Sequence, residues 1–434
     1  MFLFLLNTRA NPIENVQTRT YMGDELMKIL MMSDLYPPVI GGGEIHVQAL
    51  SRALRKRGHE VAVCTIGNSR PTVSHCTTEE GIRVYRMEGV FQKMPFLFKD
   101  PTRRWHPPIP DPLLTREINK IIRKEKPNVL HAHGWILCSY LPLERKFAIP
   151  LILTLHSYGF ICPKKNLMRG NTICKEPFTE GCVACGSQSY GFIKSFFAYR
   201  GVKSTRDKLA LVNKFIAVSS FVKEVYSKHL DIDDKRIIVI PNFYDSGQKD
   251  IDDVDLVESA NLPEDFILFV GALTPFKGVD TLIKAYDKMG DKTKLVLIGT
   301  QHPGYNYTKR RGVTVIENAS RRTVLRAYSK CRLVVIPSIW PEPFGLVALE
   351  AMSYSKPIVA SRVGGLQEVV VDGVTGILVP PSNPRKLAEA ITKILQDTDM
   401  CQKMGGLGYK RLITLFSVDQ VVSKVENIYE SAIA

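Results

Sequence analysis

The 434-residue chain lacks any apolar stretch approaching the roughly 20 residues that a membrane-spanning helix requires. We therefore predict no transmembrane helix. The first residues, Met1 to Leu6, are apolar, but no basic region precedes them, so a signal peptide is not expected. Residues 1–25 have no clear hydrophobic period and are predicted to form a mobile extension. These absences favour a cytoplasmic protein.

Acidic residues are scarce relative to basic ones, with 43 Asp and Glu against 58 Lys and Arg, which gives a net charge of +15. This excess favours an acidic partner: a phosphate-bearing small molecule, an anionic membrane surface or nucleic acid. Hydrophobic residues at 45% and charged residues at 23% are typical of a globular protein. The length predicts two domains of ordinary size.

Nine cysteines are too few for a disulfide framework in a chain of this length, and only four of them cluster. The cluster lies in an irregular loop, residues 160–187, and consists of Cys162, Cys174, Cys182 and Cys185. Four thiolates can hold a structural zinc ion, although only the final pair has a tight metal-ligand spacing. Free or redox-active thiols and disulfides are the alternatives.

Short apolar runs alternate with helix-compatible segments twice along the chain, the pattern of a doubly wound parallel sheet. The first series of strands is predicted at 28–32, 60–64, 128–131, 151–154 and 215–218, and the second at 266–270, 295–298, 333–336, 358–360 and 376–379. The fold class is therefore α/β, with Rossmann-like domains at 26–245 and 263–415. Residues 246–262 form the predicted linker, and residues 416–434 a terminal helix. Ligands of such sheets bind beyond the carboxyl ends of the strands, so the site is expected in a cleft between the domains.

A dinucleotide-binding motif is also absent. The loop after the first strand contains Gly41, Gly42, Gly43 and Glu44, but His46 occupies the place of the third glycine, which argues against a nicotinamide enzyme. Glycines without β-carbons allow a phosphate or an acceptor to approach the backbone closely. A tight strand-to-helix connection is the alternative explanation.

Two glutamates eight positions apart, Glu342 and Glu350, flank the start of a helix that follows a buried strand. The first-turn amides and the helix dipole suit a diphosphate. Carboxylates can accept hydrogen bonds from sugar or ribose hydroxyls. These features indicate a binding site for a sugar carried on a diphosphate.

Three further side chains are predicted at strand ends. His156 and His133 follow first-domain strands and can hydrogen-bond a reacting sugar, although a buried structural role is the usual explanation for a lone histidine. Lys277 follows the first strand of the second domain and can neutralise a leaving diphosphate.

Together these motifs resemble the retaining glycosyltransferases of family four, which have the GT-B fold of two Rossmann-like domains facing a cleft. The resemblance covers residues 28–434 and rests on motifs at 41–44, His156, 241–242, 271–278, the two glutamates and 364–368. It implies a terminal helix that packs back on the first domain, retention of anomeric configuration, and no cofactor or divalent ion required for catalysis.

The resemblance also implies roles for individual residues. His156 and Glu342 would act at the transferred sugar, and Glu350 would contact the donor ribose. The remaining donor contacts would come from Gly42, Gly43, Lys277, Phe344, Gly345 and Leu346, with His133, Glu44 and Asn242 as further candidates. The family commonly has arginine where this chain has Ala272. Arg321 or Arg322 could replace that cation, whereas a solvated helix start is the simpler explanation for both.

The expected activity is therefore transfer from a UDP- or GDP-sugar to a glycan or a lipid-linked sugar, in cell-envelope polysaccharide or glycolipid synthesis. Two cationic aromatic segments, 91–106 and 190–206, could lie on an anionic membrane surface at the inner face, or bury their aromatic residues internally. A basic nucleic-acid-binding protein is the rival from another class, but it leaves the paired glutamates unexplained. An epimerase or phosphorylase is the rival enzyme.

Overall fold

The structure is a computed structural model that describes residues 26–39, 41–67, 75–94, 98, 104–245, 262–290, 293–301, 305 and 310–434. The predicted N-terminal extension, 1–25, and residues 246–261 of the predicted linker lie outside these ranges. So does Phe96 of the first cationic aromatic segment.

The first domain is built on a sheet that has eight strands within the described ranges, in the order β10-β9-β6-β5-β1-β2-β4-β3. All neighbours are parallel except β3 and β4. The strands of this domain, including a small hairpin formed by β7 and β8, are β1 (Lys28–Ser33), β2 (Glu60–Ile66), β3 (His75–Glu79), β4 (Ile82–Met87), β5 (Val129–His133), β6 (Leu151–Leu155), β7 (Met168–Arg169), β8 (Thr172–Ile173), β9 (Lys214–Ala217) and β10 (Ile237–Val239). Its helices are α1 (Gly42–Lys56), α2 (Pro112–Glu125), α3 (Leu137–Tyr140), α4 (Glu144–Phe147), α5 (Gly181–Tyr190), α6 (Phe192–Arg206) and α7 (Ser220–His229).

The second domain contains a wholly parallel sheet, in the order β13-β12-β11-β14-β15-β16 across the part of the chain that is described. Its strands are β11 (Ile267–Val270), β12 (Leu295–Ile298), β13 (Val313–Ile316), β14 (Leu333–Ile336), β15 (Ile358–Ser361) and β16 (Gly376–Val379). The helices are α8 (Val279–Tyr286), α9 (Arg321–Lys330), α10 (Leu346–Ser353), α11 (Leu366–Val369), α12 (Pro384–Gln396), α13 (Thr398–Leu415) and α14 (Val418–Ile433).

Both faces of the first sheet are buried, which explains why its strands read as continuous apolar runs. Along β1, Ile29 and Met31 point into a cluster with α1, whereas Leu30 and Met32 point into a cluster with α2. The alternation follows from the two-residue period of a strand. The sheet is therefore a central layer between helices, and only its strand ends are free to carry chemistry.

The terminal helix α14 lies against the first domain, although it follows the second in sequence. Val421 and Tyr429 join the same apolar cluster as β1 and α1. At its solvent side, Arg57 pairs with Asp419 at 3.1 Å and with Glu426 at 2.7 Å. The crossing therefore connects the two domains a second time along the chain. Within the described ranges, no helix combines the length and apolarity needed to span a bilayer.

Candidate active site

A cavity of about 1100 Å³ opens between the domains beyond the carboxyl ends of β1, β5 and β6. Most of its wall comes from the first domain, and Trp340 closes it from the second. Of the residues singled out in the sequence, it brings together Gly42, Gly43, Glu44, His133 and His156. The donor-side candidates of the second domain are not among the described residues that line this cavity.

The glycine-rich loop contacts both the histidine and the second domain. A β-carbon on Gly42 would lie 3.3 Å from Cδ1 of Leu346, and one on Gly43 would lie 4.0 Å from Cγ of His156. Glu44, in the first turn of α1, is buried. The first turn of α1 and the start of α10 therefore meet at the cleft, where a bound diphosphate could reach both.

The strand-end histidines form a buried cluster. Nδ1 of His133 lies 3.0 Å from Nε2 of His156, so one of the two rings donates to the other. His131 hydrogen-bonds Tyr429 of α14 and Oγ1 of Thr154, each at 2.6 Å. Burial lowers the pKa of His156 to about 4 and that of His131 to about 3. At neutral pH these rings are therefore uncharged hydrogen-bonding groups.

Glu342 is a buried carboxylate of the second domain whose position is fixed by hydrogen bonds. Only 6% of the residue is exposed, and its Oε1 accepts hydrogen bonds from Nζ of Lys277 at 2.5 Å and from Oγ of Ser338 at 2.7 Å. The amide of Gly365 donates to its carbonyl at 2.7 Å. Nζ of Lys277 also lies 5.0 Å from the centre of the Trp340 ring, which lines the cavity. The geometry brings together Glu342 and Lys277, which the sequence places 65 residues apart.

Two first-domain hydroxyls hold the backbone on either side of Glu342. The hydroxyl of Tyr158 donates to the carbonyl of Pro341 at 2.7 Å, and that of Ser219 donates to the carbonyl of Pro343 at 2.6 Å. Tyr158 lies two residues after His156, so one short loop fixes the histidine and the glutamate relative to each other across the cleft. No local sequence pattern indicates either hydroxyl, because each contacts backbone that is distant along the chain.

Tyr158→Phe should lower kcat roughly five- to tenfold and leave the affinity for nucleotide unchanged, because the lost hydrogen bond, about 1 kcal/mol, positions Glu342 without contacting the donor. Steady-state kinetics and calorimetric titration with nucleotide check this. Tyr140→Phe is the matched control, since that buried hydroxyl has no partner within the described chain. An unchanged kcat in Tyr158→Phe would remove the positioning role.

Glu350 lies in the second turn of α10, and its carboxylate is held from two sides. Oε1 accepts from Arg321 at 2.6 Å, and Oε2 accepts from the hydroxyl of Tyr328 at 2.7 Å. The simpler explanation of Arg321, a solvated residue at a helix start, is therefore wrong: its guanidinium forms an ion pair with Glu350. A carboxylate has about four acceptor positions, so Glu350 retains capacity for a further hydroxyl.

The Phe344 to Leu346 segment supplies a helix start. The side chain of Phe344 is buried against Phe416 at a ring distance of 5.7 Å, so this residue contributes backbone rather than an aromatic surface. Gly345 has φ of +105°, a conformation that favours glycine, and α10 begins after it. Within the described chain, the amides of these three residues donate to no backbone or side-chain acceptor. They are available to an anion.

Asn242 lies near the end of the first domain and is buried. Its Oδ1 has no hydrogen-bond partner within the described residues. The neighbouring Phe243 packs on His46, which in turn contacts His156 at a ring distance of 5.1 Å. Asn242 is not among the described residues that line the cavity.

The four clustered cysteines are all free thiols. Cys162 is buried after β6, Cys174 follows β8, and Cys182 and Cys185 lie on α5. Nζ of Lys164 lies 3.5 Å from Sγ of Cys185. Across the ranges that the structure describes, no three His, Cys, Asp or Glu side chains are grouped so that they could hold a metal ion. A structural zinc ion therefore stays a prediction from spacing alone.

Two charged residues on the cavity wall were missed by the sequence analysis. Asp34 follows β1 and is buried, and its Oδ2 pairs with Nζ of Lys165 at 3.2 Å. That ammonium lies 3.8 Å from the centre of the Trp135 ring and 4.7 Å from that of Trp105. The available signal was the position of Asp34 at the end of a buried strand. Nothing in the sequence pairs it with Lys165, which lies in the cysteine loop.

Two family models match the chain in succession: Glycosyltransferase Family 4 over residues 40–248 and Glycosyl transferases group 1 over residues 252–411. An uncharacterized glycosyltransferase of Methanocaldococcus jannaschii is 30% identical over 413 residues, which cover 93% of this chain and 98% of that protein. Glycogen synthase of Mycobacterium tuberculosis is 27% identical over 94% of this chain and 95% of its own length.

Among solved structures, HepE of Anabaena in complex with UDP and glucose superposes with a TM-score of 0.68 at 19% identity, covering 93% of this chain and all of that one. The predicted GT-B fold is thereby confirmed. Since the matched relative is 30% identical along almost its whole length and both family models fit in order, the chain belongs to the family 4, group 1 glycosyltransferases and is a glycosyltransferase enzyme.

Proposed function

We propose that the enzyme transfers a sugar from a nucleotide diphosphate donor, a UDP- or GDP-sugar, to an acceptor hydroxyl with retention of anomeric configuration. The observation that carries this proposal is the ion pair between partly exposed Lys277 and buried Glu342. Nζ of Lys277 lies 5.0 Å from the ring of Trp340, which lines the same cavity as His156. A cation for the leaving diphosphate and a carboxylate for the sugar are thus available together at one cleft.

In this reaction the bond between the anomeric carbon and the phosphate oxygen breaks, and its electron pair stays on the nucleoside diphosphate. The acceptor oxygen bonds to the same carbon and passes its proton to the departing diphosphate oxygen. Negative charge grows on the diphosphate, where Lys277 and the amides at the start of α10 are proposed to stabilise it. Positive charge grows on the sugar, where Glu342 is proposed to act. No divalent ion is proposed to take part.

The donor class is supported by the architecture and by the HepE complex, which contains UDP and glucose. Glu350 is proposed to bind ribose, because its carboxylate is oriented by Arg321 and Tyr328 and retains acceptor capacity for a hydroxyl. Gly42 and Gly43 are proposed to let the diphosphate approach α1, since a side chain at Gly42 would press on Leu346.

The acceptor is proposed to bind in the first-domain cavity and to be a glycan or a lipid-linked sugar of envelope polysaccharide or glycolipid synthesis. The glycogen synthase relative supports a saccharide acceptor in general terms. We propose that the enzyme lies in the cytoplasm, because its nine cysteines are free, as is usual in a reducing compartment. We further propose that it acts at the inner membrane face, where a lipid-linked acceptor would be reached.

A panel of UDP- and GDP-sugars, incubated with soluble glycans and with lipid-linked sugars and read by mass spectrometry, tests the proposal. A product heavier than one acceptor by one glycosyl residue is expected, and nuclear magnetic resonance of its new linkage should show the donor's anomeric configuration. An inverted linkage would overturn retention. Failure of the folded protein to bind either nucleotide would overturn the donor assignment.

Glu350→Ala and Lys277→Ala should both weaken nucleotide binding, but they should differ in how far they lower the turnover rate. Each removes a charged partner of the nucleotide end, so each should weaken binding of the nucleoside diphosphate roughly 10- to 100-fold. At saturating donor, Glu350→Ala should turn over within a few-fold of the native rate, whereas Lys277→Ala should be slower by about 100-fold because leaving-group charge peaks in the transition state.

Calorimetric titration measures the affinity for the nucleoside diphosphate, and steady-state kinetics measures the turnover rate at saturating donor. Lys284→Ala and Glu389→Ala remove exposed charges from α8 and α12 and are the matched controls, with native values expected for both. Equal losses of turnover in Glu350→Ala and Lys277→Ala would contradict the assigned roles.

A further inference from the structure

Helix α6 presents an apolar face that nothing in the described structure covers. Four large side chains on it are exposed: Phe192 at 67%, Ile193 at 71%, Phe196 at 43% and Phe197 at 56%. Their spacing of one and four residues places them on one side of the helix. Contiguous exposed apolar surface of this kind marks an interaction site.

The opposite side of α6 is firmly packed, so the exposed face is a built feature of the fold. Ser195, Val202 and Thr205 are buried there. A β-carbon on Gly201 would collide with the carbonyl of Pro108, which shows how closely the helix backbone approaches the domain. The helix cannot turn its aromatic side inward without losing these contacts.

The charged residues of α5 and α6 are all basic. From Gly181 to Arg206, through α5 and α6, there is no acidic residue, whereas Lys194, Arg200, Lys203 and Arg206 are basic. Lys194, Arg200 and Lys203 are exposed. Exposed aromatic and aliphatic side chains beside basic ones are typical of a surface that lies on an anionic bilayer.

The same helix forms the rim of the active-site cavity. Ile193 and Phe197 of the exposed face also line that cavity, together with Lys194 and with Tyr190 at the end of α5. Whatever covers the face therefore lies at the entrance to the acceptor site. If an apolar medium covers the face, the apolar part of an acceptor could move from that medium into the cavity and stay in contact with apolar side chains throughout.

We propose that the α6 face docks on an anionic lipid bilayer and that the acceptor is an amphipathic, lipid-borne sugar that enters the cavity directly from that bilayer. This proposal rests on the proposed function, and it narrows the acceptors proposed there to lipid-borne sugars. The bilayer is favoured over a second copy of the chain because the basic residues, which would repel one another across a symmetric contact, complement anionic headgroups.

The test uses the full-length protein and flotation with phosphatidylcholine vesicles, with and without phosphatidylglycerol. Wild-type protein should float only with the anionic vesicles and should be released as salt rises. Phe192→Ser/Phe196→Ser, which leaves the cavity wall intact, should reduce flotation at least tenfold. Ile413→Ser/Leu415→Ser on α13, which removes side chains exposed to 52% and 40%, is the matched control and should float like wild type.

Nucleotide binding and thermal melting of each variant separate this proposal from the proposed function. Native nucleotide affinity with no flotation of the wild type overturns docking alone, whereas absent nucleotide binding overturns the proposed function itself. Equal flotation of wild type and Phe192→Ser/Phe196→Ser overturns the assignment to α6. A wild-type dimer in sedimentation that the double substitution dissociates would assign the face to a second copy and overturn the bilayer.

Discussion

Glu342→Gln is expected to lower kcat about 100- to 1,000-fold while the protein stays folded. The substitution keeps the shape of the side chain and an oxygen that can accept from Ser338, but it removes the negative charge that Lys277 and a developing positive sugar would share. In a site this buried the charge is poorly replaced by water, so its loss should be felt mainly in the transition state. Nucleotide affinity should change by only a few-fold.

Steady-state kinetics with the best donor from the nucleotide-sugar panel, calorimetric titration with nucleotide and thermal melting check this expectation. Glu389→Gln removes an exposed carboxylate that pairs with Lys386 on α12, and it should behave as wild type. A Glu342→Gln enzyme with native kcat and native melting would show that the carboxylate is structural. The transferred sugar would then have to be stabilised by other groups.

The positions of strands could be predicted from the sequence wherever a strand is buried on both faces of its sheet. The strands at β1, β2, β5, β6 and β9, and five of those in the second sheet, are continuous apolar runs and were predicted. The unpredicted strands are the short hairpin strands β7 and β8, together with β3, β4, β10 and β13, which lie at a sheet edge or beside one. Residues of β13 are all only partly buried, and most of β3 is exposed. β3 and β13 therefore lack the buried apolar run that identifies a central strand, whereas β10 is apolar but only three residues long.

Site residues could be predicted from the sequence only where their position next to a single strand or helix indicated their role. Glu342, Glu350 and His156 follow buried strands, so their local context marked them. Arg321 was misjudged because its partner Glu350 lies 29 residues away on another helix. Tyr158 acts through a backbone carbonyl 183 residues distant. The Tyr158 contact is set by how the two domains meet, and the Arg321 contact by how α9 and α10 pack within the second domain. A local sequence pattern contains no information about either arrangement.

His156→Ala should bind nucleotide almost as wild type does and turn over about 100- to 1,000-fold more slowly, the usual cost of removing one preorganised hydrogen-bonding group from the reacting centre. The ring lies on the cavity wall beside Gly43, whereas the proposed diphosphate ligand Lys277 is not among the described residues of that wall. Loss of the ring should therefore slow turnover without weakening nucleotide binding. Kinetics and nucleotide titration measure them. His75→Ala, on the exposed edge strand β3, is the matched control.

The pH dependence gives a second test of the same residue. Burial lowers the pKa of His156 from 6.5 to about 4, so the ring is neutral throughout the range from pH 6 to 8 and its titration should not shape kcat there. The unfolded chain, with its ordinary histidine pKa, binds more protons than the folded chain between pH 6.5 and about 4. Acidification through that window should therefore lower the free energy of unfolding, and His156→Ala should lose less stability between pH 7 and pH 5 than wild type. A kcat profile with a midpoint near pH 6.5 that disappears in His156→Ala would instead mean that the ring is hydrated and charged during catalysis, and that it acts as an acid rather than as a neutral hydrogen-bonding group.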